Sequence, residues 1–76
     1  MEYSSHATRR MLRRGISQED VEAVLQAPTK TAPGHDGNIN HYGIGPSGYR
    51  IRVTVSPNGL RVVTICWADQ RKKRRF

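Results

Sequence analysis

Two neighbouring segments rich in β-branched residues constrain the fold most strongly, because only a tight connection separates them. Residues 49–56 and 60–68 both have the composition of β-strands. The intervening Pro57-Asn58-Gly59 suits a three-residue loop, with a type I turn followed by glycine in the left-handed region. These segments therefore predict an antiparallel β-hairpin.

The loop length sets which residues face each other across this hairpin. A three-residue loop pairs Val53 with Val63 and gathers the larger apolar side chains on one face, which can pack under helices. A two-residue Asn58-Gly59 loop would place valine and isoleucine on the same face as arginine, so the three-residue loop is favoured. In that register the other face carries Arg50, Arg52, Thr54, Val62, Thr64 and Cys66.

The N-terminal third predicts two short helices joined by Gly15-Ile16. Residues 4–14 carry apolar side chains at helical spacing, and the glycine that follows can end the helix in a left-handed conformation. The second helix begins after Ser17, a good N-cap, and ends before Pro28. Together the two helices predict a helical hairpin.

Between the helices and the β-hairpin, residues 29–32 and 39–44 predict two weakly marked strands around a glycine-rich turn. A chain of 76 residues has room for one compact domain. We therefore expect an α+β fold in which an N-terminal helical hairpin packs on an antiparallel sheet of about three or four strands. The domain is expected to span residues 1–70, with residues 71–76 as a basic C-terminal tail.

The positive charge of the chain is concentrated in its second half. The formal net charge is +7, and residues 1–38 carry equal numbers of acidic and basic side chains, so the whole excess lies in residues 39–76. Most of the basic residues are arginine, whose guanidinium group binds phosphate through two parallel hydrogen bonds. Nucleic acid is therefore the expected partner. An anionic membrane is the weaker alternative, because the basic half predicts strands rather than an amphipathic helix.

Several classes of protein are disfavoured by residues that the sequence lacks. A single cysteine, Cys66, excludes an intrachain disulfide, and no apolar stretch approaches the length of a bilayer or of a signal peptide. His35 and His41 stand six positions apart across a turn, which is not the i, i+4 spacing of metal ligands on a helix, and no cluster of carboxylates supports them. We therefore expect a cytoplasmic protein without a metal or other cofactor.

Two sets of side chains could act on a phosphate group. Arg52 and Thr64 lie side by side in the predicted hairpin and offer donors that suit phosphate oxygens, although alternating arginine and threonine are equally typical of a solvated sheet face. His6, Arg10 and Arg13 share one face of the first helix. An imidazole beside guanidinium groups could transfer a proton at a ribose, although an exposed polar helix face has the same pattern.

The helical opening resembles a known family. The residues that carry the resemblance are Ser5-His6-Ala7, Arg10-Met11, Arg14-Gly15-Ile16-Ser17, Asp20-Val21 and Pro28. They resemble the signature of a small bacterial family, domain of unknown function 4258. Its members are similar in architecture to the barnase–EndoU–colicin–RelE (RelE-like) toxin fold, in which several proteins are ribonucleases that need no metal.

The resemblance implies a toxin-like endoribonuclease that cleaves RNA through the ribose 2′-hydroxyl. In this interpretation His6 is the acid or base, Arg10 and Arg52 hold the scissile phosphate, and Thr64 donates a hydrogen bond to it. An acidic antitoxin or immunity protein is the expected second partner. The further RNA contacts are expected from Arg13, Arg50, Arg71, Lys72, Lys73, Arg74 and Arg75.

The alternative is a basic module that binds nucleic acid or the ribosome without cleaving RNA. This alternative accounts equally well for the positive charge of the chain, and in it His6 has no functional role.

Deletion of residues 71–76 tests whether the basic tail binds RNA. We expect weaker binding and a flatter salt dependence, because each lost phosphate contact lowers the slope of log K against log salt by roughly 0.7–0.9. Titrations of RNA at several salt concentrations measure this slope, and a thermal melt checks that the shortened protein folds. An unchanged slope would show that the tail does not contact RNA.

Overall fold

The fold is an α+β sandwich of two helices on a five-stranded sheet, described for residues 1–68 by a computed structural model. The predicted basic tail, residues 71–76, lies outside the described residues. In chain order the elements are β1 (Glu2–Tyr3), α1 (Ser5–Arg14), α2 (Gln18–Gln26), β2 (Lys30–Pro33), one 3₁₀ turn (His35–Gly37), β3 (Ile39–Ile44), β4 (Arg50–Val55) and β5 (Arg61–Trp67).

The sheet order is β1-β5-β4-β3-β2, and every pair except the first is antiparallel. The α+β class and the helical hairpin on a largely antiparallel sheet are confirmed. The structure adds β1, a two-residue strand that runs parallel to β5 and that no periodic pattern could indicate.

Capping residues set the helix boundaries, among them the predicted Gly15 and Ser17. The Ser4 side chain accepts a hydrogen bond from the amide of Ala7 at 3.0 Å, and the Ser17 side chain accepts one from the amide of Asp20 at 3.1 Å. Gly15 ends α1 in the left-handed conformation at φ 69°. Each serine therefore satisfies a backbone donor that the first helical turn would otherwise leave unpaired.

One face of the sheet, called the core face below, packs against both helices. The buried apolar cluster comprises Ala7, Ile16, Val21, Val24, Ile51, Val53, Val55, Val62 and Ile65. Six of these side chains, including Ile51 and Ile65, are the largest fully buried groups of the described chain. Neither helix within residues 1–68 is long and apolar enough to cross a membrane.

The connection between β4 and β5 differs from the three-residue loop that the sequence predicts. Ser56 and Arg61 close the hairpin, with the Ser56 amide donating to the Arg61 carbonyl at 2.9 Å. The Asn58 side chain accepts hydrogen bonds from the Ser56 hydroxyl at 2.7 Å and from the Leu60 amide at 3.0 Å. Because these bonds hold Leu60 in the loop, four residues rather than three separate the paired positions. Gly59 does adopt the expected left-handed conformation, at φ 77°.

The predicted register of this hairpin is therefore wrong, and a β-bulge adds a second change. Val53 faces Ile65 instead of Val63, a shift of two positions that leaves the same side chains of β4 on the core face. The four-residue loop places Val62 opposite Val55 on the core face, where Val62 is fully buried, and the bulge adds the second position of the shift before Thr54 pairs with Thr64. Val63 is the extra residue, and its side chain is half-buried on the opposite side.

A buried carboxylate, Asp20, ties α2 to the turn between β3 and β4. It accepts hydrogen bonds from the amide and the hydroxyl of Ser47, each at 3.0 Å. Burial alone would raise the pKa of Asp20, but the hydrogen bonds from Ser47 and Ser17 outweigh it and hold that pKa below its ordinary value of 3.8. A Cβ atom at Gly45 would lie 2.6 Å from the Asp20 Cα atom, so only glycine fits there.

Alanine substitutions at Val62 and Val63, the two adjacent valines at the bulge, test its position. Val62→Ala should lower the free energy of unfolding by about 2 kcal/mol, because it leaves a cavity in the core. Val63→Ala should cost clearly less, since its side chain is only half-buried. Denaturant unfolding of both variants measures the difference. A larger loss of unfolding free energy for Val63→Ala than for Val62→Ala would show that the register predicted from the sequence is correct.

The Asp20 carboxylate predicts a specific pH dependence of stability. At pH 7 Asp20→Asn should lower the free energy of unfolding by roughly 1–3 kcal/mol, because it weakens hydrogen bonds to a buried charge. Since the pKa of Asp20 is lower in the folded state, the unfolded state binds the proton more readily, and this contribution is lost as the pH falls below about 4. The difference in the free energy of unfolding between Asp20→Asn and the parent should therefore become smaller at acidic pH.

Urea unfolding at pH 7 and at pH 3 measures this gap. Glu19→Gln, an exposed position in the same helical turn, is the matched control and should stay near the parent. If the difference in the free energy of unfolding between Asp20→Asn and the parent is as large at pH 3 as at pH 7, the lowered pKa of Asp20 is contradicted.

Candidate nucleic-acid interface

The sheet face away from the helices, called the outer face below, carries two rows of side chains across the strands. A Cβ atom at Gly43 would touch Val24 of α2 at 3.3 Å, so position 43 faces the core and its neighbour Tyr42 faces outward. The strand register then defines the two rows. One row is Lys30, Tyr42, Arg52 and Cys66, and the other is Ala32, Asn40, Thr54 and Thr64.

A groove of about 430 Å³ lies over the second row, between the sheet and the 3₁₀ turn. This volume is in the range of sites that hold a small ligand. The turn contributes one wall, and β3, β4 and β5 contribute the floor. The lining residues are Pro33, Gly34, His35, Asn38, Asn40, Arg52, Thr54, Val63 and Thr64.

The floor of the groove is ordered by a hydrogen bond between Thr54 and Asn40. The Thr54 hydroxyl donates to the Asn40 Oδ1 atom at 2.6 Å, and Thr54 is 6% exposed. This bond fixes the orientation of the Asn40 amide, in which Oδ1 is the acceptor and Nδ2 is the donor. Gly34 crosses close above, where a Cβ atom would lie 3.1 Å from the Asn40 Oδ1 atom. A side chain at this position would therefore require the neighbouring atoms to move by a few tenths of an ångström.

Arg52 is the cation of the groove, and no acidic side chain of the described residues neutralises it. Its Nε atom is buried and has no hydrogen-bond partner within residues 1–68. The one salt bridge in that part of the chain joins Glu2 and Arg61, at 3.9 Å. A buried donor without a partner costs free energy, and an oxygen of a bound anion would satisfy it.

His35 is the imidazole that the fold places in the groove. The backbone of its turn is held by two hydrogen bonds, from the Gly34 amide to the Asn38 carbonyl at 2.8 Å and from the Asn38 amide to the His35 carbonyl at 3.0 Å. Asp36 beside it adopts a left-handed conformation at φ 55°. Within residues 1–68, no group of three or more His, Cys, Asp or Glu side chains is placed to share a metal ion.

The structure brings together some of the predicted site residues. Arg52 and Thr64 both line the groove, although the corrected register pairs Arg52 with Cys66 and Thr64 with Thr54. Arg50 lies exposed on the outer face, two positions along β4 from Arg52.

The predicted residues of the first helix are placed elsewhere. His6, Arg10 and Arg13 lie on α1, which packs against β5, and they are not among the residues that line the groove. His6 and Arg13 are exposed, whereas Arg10 is half-buried. Their roles in binding or catalysis stay predictions, as do those of Arg71, Lys72, Lys73, Arg74 and Arg75, which lie outside the described residues.

Sequence reasoning missed two residues of the groove, His35 and Asn40. The sequence suggests His35 only as a metal ligand, because the place of this residue over the sheet depends on how the turn folds. Asn40 could have been found from the sequence, because it lies in a predicted strand two positions before Tyr42. Residues two positions apart in a strand share one face of the sheet.

Comparison with known proteins places the chain in a family. A family model matches residues 3–67, which include both helices and nearly the whole sheet. A search of curated proteins and a search of solved structures each find no match. The description of the family names no activity. The chain belongs to the family described as Domain of unknown function (DUF4258).

Proposed function

We propose that this protein binds RNA in the groove of the outer face and cleaves it as a toxin-like endoribonuclease that needs no metal. The observation that carries the proposal is the Arg52 guanidinium, whose buried Nε atom has no partner within residues 1–68 and which lies among neutral donors. The expected compartment is the cytoplasm, where RNA is within reach of such a protein.

The donors of the groove suit a phosphodiester. Guanidinium nitrogens, the Thr64 hydroxyl and the Asn40 amide all donate hydrogen bonds, and no carboxylate of residues 1–68 lines the groove. Negative charge builds on the phosphate oxygens as the 2′-oxygen attacks phosphorus. A guanidinium already fixed beside those oxygens would stabilise that charge more than it stabilises the ground state.

Cleavage through the ribose 2′-hydroxyl also needs a base for that proton and an acid for the leaving 5′-oxygen. The products are a cyclic phosphate and a 5′-hydroxyl. Two imidazoles are candidates for these tasks: His6, which the family resemblance suggests, and His35, which lines the groove. The two assignments differ in where the substrate lies, because only His35 is beside Arg52 in the same groove.

The second candidate function is RNA binding without cleavage. The observation that favours it is that His6 and Arg10 are not among the groove-lining residues, so the cations of the outer face can bind RNA without them. In either case we propose that an acidic antitoxin or immunity protein covers the basic outer face.

Cleavage of RNA in the presence of EDTA tests the proposal. We expect the intact protein to cleave RNA and to leave DNA of the same sequence intact, because DNA lacks the attacking 2′-hydroxyl. Loss of the acid–base imidazole, His6 or His35, should lower the rate by roughly 10²–10⁴, and the alanine variant that causes this loss identifies the group. Gel analysis of an end-labelled RNA measures the rate.

Arg52→Ala should lower the cleavage rate comparably and should weaken binding more than either histidine variant, because only Arg52 is expected to hold the phosphate before reaction. Arg9→Ala, an exposed arginine of α1 with no predicted role, is the matched control. RNA that stays intact with wild-type protein under every condition, while still bound, would overturn the nuclease and favour the binding module.

A further inference from the structure

We infer that the outer face recognises unpaired nucleotides, with Tyr42 as the surface on which one base stacks beside a phosphate held by Arg52. The inference rests on the proposed function, since it takes RNA as the ligand, and it names the form of RNA that the site binds.

Tyr42 stands between two cations in the first row of the outer face. The register pairs it with Lys30 of β2 on one side and with Arg52 of β4 on the other. The Lys30 Nζ atom lies 5.1 Å from the centre of the Tyr42 ring, within the distance of a cation–π contact. The tyrosine is half-buried, so its position is fixed while part of the ring meets solvent.

The spacing of these side chains matches the dimensions of a nucleotide. Neighbouring strands lie about 4.8 Å apart, so Tyr42 and Arg52 can contact the base and the phosphate of one nucleotide together. Lys30 is exposed and carries a long flexible side chain, which can leave the ring and follow a neighbouring phosphate when a base arrives. A sheet with an aromatic ring and flanking cations is a known solution for binding single strands.

A double helix cannot use this arrangement. Its bases are stacked on one another, and an A-form duplex presents phosphates and a shallow groove rather than a free base. The outer face would therefore bind a duplex through its cations alone. An acidic protein segment would likewise engage Lys30 and Arg52 without needing the flat face of Tyr42. Dependence of affinity on the aromatic ring separates a stacked base from both of these ligands.

The test measures the affinity of the full chain for two fluorescein-labelled probes by anisotropy. One is a single strand of 2′-O-methyl RNA, which cannot be cleaved, and the other is the same strand in a blunt duplex. Tyr42→Leu should weaken binding of the single strand by about 5- to 100-fold and change duplex binding by less than about 2-fold. Tyr42→Trp should retain affinity, because it keeps a ring that can stack.

Tyr49→Leu is the matched control, since Tyr49 is an exposed tyrosine outside the two rows that packs edge-on against Trp67. It should leave single-strand affinity within about 2-fold of the parent. Thermal melts check the fold, and Tyr42→Thr replaces Tyr42→Leu if the leucine variant is unfolded, because threonine is favoured in strands. Equal losses for the two probes, or equal losses at positions 42 and 49, would overturn the inference.

The outcomes separate this inference from the proposed function. Tyr42-dependent binding of the single strand together with uncleaved natural RNA would sustain the inference and refute the nuclease. Arg52→Ala should weaken binding of both probes. If neither probe binds while polyglutamate does, the outer face serves an acidic protein partner, and the inference is overturned.

Discussion

The hydrogen bonds from Ser47 to the Asp20 carboxylate fix where α2 meets the sheet. Asp20 belongs to the first turn of α2, and Ser47 belongs to the turn between β3 and β4, so one buried carboxylate joins the two layers. Those two strands carry most of the outer-face side chains that would meet a ligand. The geometry of the groove therefore depends on a contact made on the other side of the sheet, and the lowered pKa of Asp20 reflects how well that contact is satisfied.

Local sequence signals predicted the parts of the fold that local interactions determine. The caps at Ser17 and Gly15 depend on the residues beside them, and the structure confirms both. The hairpin register depends on a local contact that turn composition does not specify, because the side chain of Asn58 holds one more residue in the loop than that composition suggests. The bulge at Val63 determines which of two adjacent valines is buried on the core face, and composition alone cannot predict this choice.

The candidate site follows the same division. Arg52 and Thr64 could be placed on one face from the two-residue period of a strand, which survives a register shift of two positions. His35 could not be placed in the groove from the sequence, because it lines the groove only when the 3₁₀ turn packs over Asn40. The family resemblance drew attention to the helical opening, which carries specific residues such as His6, whereas the donors of the groove come from strands whose sequences are generic.

The parallel pairing of β1 with β5 bears on when the protein can fold as it is synthesised. Glu2 and Tyr3 pair with Arg61 and Val62, and the Ser4 hydroxyl donates to the Val63 carbonyl at 2.8 Å, across 59 positions of sequence. Closing so long a loop is slow, because its entropy must be lost before the contacts form. A ribosome delivers the chain from its N-terminus, so the first strand waits unpaired until the last one has left the exit tunnel. Because Val63 and Thr64 of β5 line the groove, the groove and any activity it supports are likewise withheld until the last strand has been synthesised.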